Sequence, residues 1–73
     1  MAVRLVEQPV REYILGCAQA FLDGEESFQW ITGTLMDSNL PRRSLLRILA
    51  PLRHYGDPFR AEVLFDWLDE VEW

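Results

Sequence analysis

The chain has 73 residues, 49% of them hydrophobic and 12% aromatic, enough for one small core and too apolar for wholesale disorder. Twelve acids against seven bases leave a net charge of −5, which argues against a general polyanion binder. A single cysteine excludes an internal disulfide, and no apolar run approaches the roughly 20 residues that span a bilayer.

Residues 1–8 read as a short apolar arm, extended along the rest of the domain. Pro9 suits a first helical turn, and Val10, Tyr13, Ile14, Cys17, Phe21 and Leu22 follow at the spacing of one helix face. Asp23-Gly24 supplies the stop, so the first helix is predicted over about 9–23. Gly16 and Ala20, four apart, would let another helix approach closely.

The second element, about 27–36, is less one-sided. Phe28, Ile31, Thr32 and Leu35 fit a helix, and Glu25, Glu26 and Ser27 suit its start. The run Trp30-Ile31-Thr32-Gly33-Thr34-Leu35 is also β-rich, with a glycine able to turn a hairpin. A lone hairpin needs a platform, and no other convincing strand is nearby, so helix is favoured.

Asp37-Ser38-Asn39 offers caps for a third helix over about 40–53. Leu45, Ile48, Leu49 and Leu52 form its core stripe, with Arg43 and Arg47 opposite, and Pro51 is expected to end or kink it. Gly56-Asp57-Pro58 then reads as stop, cap and first turn of a last helix over about 58–72. Its core arc is expected to be Val63, Leu64, Trp67, Leu68 and Val71. The fold class is therefore all-α: one domain over 1–73, a small bundle of three to four short helices.

Charge is segregated along the chain. Residues 1–39 carry two bases against six acids, and residues 40–60 five bases against one acid. Residues 61–73 carry five acids and no base. All seven bases are arginine. On the last helix Glu62, Asp66 and Asp69 share a narrow sector with Glu70 at its margin, and Trp73 returns to that side. Like charges four apart repel, and acids in a last turn oppose the helix dipole. Rules broken together in this way tend to mark a functional surface.

Chemistry has little to work with here. His54 is the only histidine and Cys17 the only cysteine, so neither has a partner of its kind for a metal site. Cys17 lies in the apolar stripe, as an inert buried thiol would, and His54 stands at a helix end. No nucleophile elbow, phosphate loop or calcium loop is present, so no enzyme, cofactor or metal is expected.

Two surfaces remain. The acidic one, Glu62, Asp66, Asp69, Glu70 and Trp73, is expected to bind a protein partner with a basic surface, with Trp30, Glu25 and Glu26 as secondary contacts. A row of carboxylates on a helix approximates a row of phosphates, so that partner surface could be a nucleic-acid-binding groove. The bland alternative is a solvated face neutralised by arginines of the same fold.

The rival is a DNA-binding regulator that uses Arg42, Arg43, Arg47 and Arg53 on the helix over 40–53. The acidic flanks oppose a duplex, so direct nucleic-acid binding is the weaker expectation. A third reading is a subunit, or homodimer, joined through exposed aromatics such as Trp30 and Trp73. In size, charge and helical content the chain resembles phage-encoded inhibitors of nucleic-acid-targeting defences, including anti-CRISPR proteins. That resemblance implies an inhibitor acting in the host cytoplasm. The cytoplasm is also the location expected of a chain with no signal-peptide core in residues 1–10 and no membrane segment.

Overall fold

Four α-helices and one 3-10 turn make an all-α bundle in the computed structural model, which describes residues 7–70. Helix α1 spans Gln8–Leu22, α2 Phe28–Asp37, α3 Arg42–Leu49 and α4 Pro58–Glu70, with the 3-10 turn at Ala50–Leu52. No strand occurs among the described residues, so residues 30–35 are helix rather than hairpin. Most of the arm expected over 1–8 lies outside the described residues, as do Val71 and Trp73. Glu7 is extended, and Gln8 is already helical.

Local chemistry explains where each helix stops. Asp23 closes α1 in a right-handed conformation, and Gly24 follows at φ +87°. The Gly24 amide donates to the Phe21 carbonyl at 3.0 Å and the Glu25 amide to the Ala20 carbonyl at 2.8 Å, the paired bonds of a Schellman stop. Ser27 opens α2 by accepting from the Trp30 amide at 3.0 Å. Ser38 and Asn39 terminate α2 instead of capping the third helix, with Asn39 in the left-handed region at φ 61°. Pro41 stands at the start of α3 without a side-chain cap. That helix is shorter than the predicted 40–53. It tightens into the 3-10 turn because Pro51 has no amide proton and crowds the turn before it.

All four helices contribute to the core. Ile14 and Leu22 of α1, Ile31 and Leu35 of α2, Leu45 and Leu49 of α3, and Leu64 and Leu68 of α4 are its largest fully buried side chains. Ile48 and Leu52 complete the stripe expected of the third segment, and Cys17 is buried in the same core. Two stripes differ from the sequence expectation. Val10 and Tyr13 remain exposed at the start of α1, and Ala18, farther along, is the additional buried residue. The core arc of α4 is rotated toward Ala61 and Phe65, which leaves Val63 and Trp67 half-buried. Trp67 instead meets Phe28 edge-on, with ring centroids 6.4 Å apart. Gly16 faces open space, so it admits no neighbouring helix.

A polar joint ties the start of α4 to the end of α1. Gly56, at φ +72°, packs so closely that an added Cβ would lie 2.6 Å from the Leu22 carbonyl oxygen. The same oxygen accepts from the Asp57 amide at 3.1 Å. Arg60 donates through Nη1 to the Phe21 carbonyl at 2.8 Å and to the Glu26 carbonyl at 2.9 Å. Its guanidinium carbon also sits 4.7 Å from the Phe21 ring centroid. The Tyr55 hydroxyl donates to Asp23 Oδ2 at 3.1 Å, and this bond raises the phenol above its ordinary pKa. The Tyr55 hydroxyl therefore keeps its proton throughout the neutral range.

Candidate functional site

Burial of Ala61, Leu64, Phe65 and Leu68 dictates what α4 shows to water. At 3.6 residues per turn, the residues opposite that stripe are Phe59, Glu62, Asp66, Asp69 and Glu70, within an arc of roughly 100°. All five are exposed. The helix can begin at Pro58 because Asp57 accepts from the Phe59 amide at 3.3 Å and its carbonyl takes the Ala61 amide at 2.9 Å. That start sets the angular phase of the whole face.

The four carboxylates are brought together and left without internal neutralisation. Among the described residues, no ion pair or hydrogen bond engages the side chains of Glu62, Asp66, Asp69 or Glu70. One arginine reaches the backbone of this face: Arg42 Nη1 donates to the Asp69 carbonyl at 2.9 Å. A cation at that position opposes the negative end of the α4 dipole, which its own last turn, having no base, does not.

Phe59 is the residue that sequence reasoning missed. It is 70% exposed, the most exposed of the large hydrophobic side chains described, and shares the face with the acids. The signal was present, since Phe59 stands three residues before Glu62 and seven before Asp66, both helical-neighbour spacings. Trp73, the expected aromatic of this face, lies outside the described residues.

Beside the face runs a shallow groove of about 320 Å³. It is lined by the acids Glu62 and Asp66, by Arg53 and His54, and by the apolar Pro58, Ala61 and Phe65. The Arg53 guanidinium carbon lies 4.5 Å from the Phe65 ring centroid, in cation–π contact.

The other predicted residues are dispersed. Trp30 is 37% exposed, but it leaves α2 about 200° around the helix from Phe28, the residue that touches α4. It is therefore no part of the acidic face. Glu25 is exposed and Glu26 half-buried in the loop between α1 and α2, where the Glu26 carbonyl serves Arg60. Of the proposed DNA-reading arginines, Arg43 and Arg47 point outward together from α3, with no ion pair or hydrogen bond among the described residues. Arg42 and Arg53 are directed toward α4.

Among the described residues, no group of three or more histidine, cysteine, aspartate or glutamate side chains is placed to hold a metal ion, and no helix is long and apolar enough to cross a membrane. No protein-family model, curated protein or solved structure matches this chain.

Proposed function

We propose that this chain is a non-catalytic interaction protein whose acidic α4 face docks on and occludes a basic surface of a protein partner. The observation that carries this reading is the company Phe59 keeps. A phenylalanine 70% in water heads a helix face whose next four exposed members are carboxylates that the fold leaves unpaired among the described residues. Stability alone does not account for that arrangement. Glu62–Asp66 and Asp66–Glu70 are like-charge pairs four apart, each costing a few tenths of a kcal/mol. An exposed apolar anchor beside a run of like charges is a combination suited to a protein interface.

Carboxylates spaced along a helix suit a surface built for phosphates. The partner class favoured is therefore a nucleic-acid-binding protein, and the role an inhibitor of the phage type to which anti-CRISPR proteins belong. The cytoplasm, or a host's cytoplasm for a phage-encoded chain, is where such a partner would be met.

Affinity capture from the native host, compared between the wild-type chain and Asp66→Arg/Asp69→Arg, tests this reading. The double reversal is expected to lose the captured partner while circular dichroism stays helical. Equal capture by both proteins would remove the proposal. The outward pair Arg43 and Arg47 favours a second reading, duplex DNA binding. A gel shift at low salt that is weakened by Arg43→Ala/Arg47→Ala would support it over the first.

A further inference from the structure

We propose that Arg53 is an internal stand-in for an arginine of the docking partner, so that binding exchanges one guanidinium for another on the Phe65 ring. The inference rests on the acidic-face reading and names the side chain which that face takes. The Arg53 contact, at 4.5 Å, demonstrates that this ring accepts a planar cation from the groove side. Glu62 and Asp66 line the same groove, yet no ion pair joins either of them to Arg53. Among the described residues the resident guanidinium is held by the ring alone, and the carboxylates that line the groove with it are left without an ion pair.

Arg53 is exposed and follows the 3-10 turn in the short connection to α4, so its side chain can swing into water without disturbing a helix. A guanidinium arriving from outside would regain the ring contact. It would approach over Glu62 and Asp66, where its forked donors match carboxylate geometry as an ammonium does not. The groove, about 320 Å³ and open at the surface, has room for such a side chain. Arg53 thereby sets a threshold: weakly held cations do not displace it, and an arginine backed by a basic surface does.

The probe is a pair of blocked peptides, acetyl-Gly-Arg-Gly-Arg-Gly-amide and its lysine counterpart, titrated at low salt into the isotope-labelled full chain and followed by amide NMR. The arginine peptide is expected to shift the amides of residues 61–66 and to bind more tightly than the lysine peptide. Arg53→Gln is expected to raise affinity for the arginine peptide about threefold, through the vacated ring and the removed repulsion. Arg47→Gln removes the same charge outside the groove and is expected to raise it less. Arg53→Lys keeps the charge but gives up the planar contact, and should also bind the arginine peptide more tightly than wild type. Melting curves check that each variant is folded.

Equal gains from Arg53→Gln and Arg47→Gln, or equal affinity for the two peptides, would overturn the stand-in role. The acidic face would then survive as a plain charge surface. Peptides that leave the α4 amides unmoved would overturn both readings at once.

Discussion

Two parts of α4, both within about three turns, use polar side chains in opposite ways. At its start, Arg60 is fully committed: two main-chain carbonyls and one aromatic ring of α1 and the following loop occupy its guanidinium. Farther along, Glu62, Asp66 and Glu70 touch no cation among the described residues. The joint converts charge into rigidity, because one guanidinium bonded to two carbonyls pins the end of α1 and the loop after it to α4. The outer face holds charge in reserve. Such a contrast within one helix argues that the acids are not remnants of a generally polar surface. Where this fold needs a charge for stability, it supplies a partner.

The strongest way to break the contrast is at Gly56. Its φ of +72° and its approach to Leu22 both forbid a side chain, with the nearest clash at backbone rather than at a movable group. Gly56→Ala is expected to cost about 2–4 kcal/mol, the sum of a strained left-handed residue and a displaced carbonyl. For a domain of this size that lowers the melting temperature by on the order of 10–20 °C. A melting temperature unchanged within a degree or two would show that the joint is not what holds α4 to α1.

Arg60→Met comes next. Methionine keeps the apolar stem over Phe21 but leaves the Phe21 and Glu26 carbonyls without their shared donor. The expected loss is about 1.5–3 kcal/mol, that of charge-assisted hydrogen bonds to a part-buried site. Chemical denaturation reads it as a lower midpoint with an unchanged slope. A neutral result would place Arg60 with the outward charges and erase the distinction.

How much of this was legible in the sequence depends on whether the cause is local. Gly24, Ser27, Asp57 and Pro58 act within a few residues of themselves, so they announce three of the helix ends directly. The Asp37-Ser38-Asn39 run was misassigned because the same side chains that start a helix also suit the left-handed residue that ends one, as Asn39 does. The phase of α4 was hidden for another reason. Val63, Phe65 and Trp67 are all apolar, and periodicity alone does not say which of them meets α1 and α3. Arg60 was invisible, since its acceptors are carbonyls 39 and 34 residues away, and a carbonyl has no sequence signature. The acidic sector was readable because fixed helical spacing places its members. Phe59 belonged to the same geometry and was overlooked in favour of tryptophans.

The smallest expected effect is the most discriminating. Glu62→Gln/Asp66→Asn keeps shape and removes two negative charges from a face where, among the described residues, nothing pairs with them. If the acids served stability, neutralising them would weaken the fold as Arg60→Met does. If they are held for a partner, removing their mutual repulsion leaves stability unchanged or raises it by about 0.2–0.5 kcal/mol. The sign is the reading, so the melt should be repeated at low and high salt, because screening shrinks a repulsive contribution within a Debye length of roughly 10 Å at 0.1 M. A gain that fades as salt rises marks relief of repulsion. A loss of more than about 1 kcal/mol at either salt would mean that the α4 carboxylates are structural after all, and the division between the two parts of the helix would no longer hold.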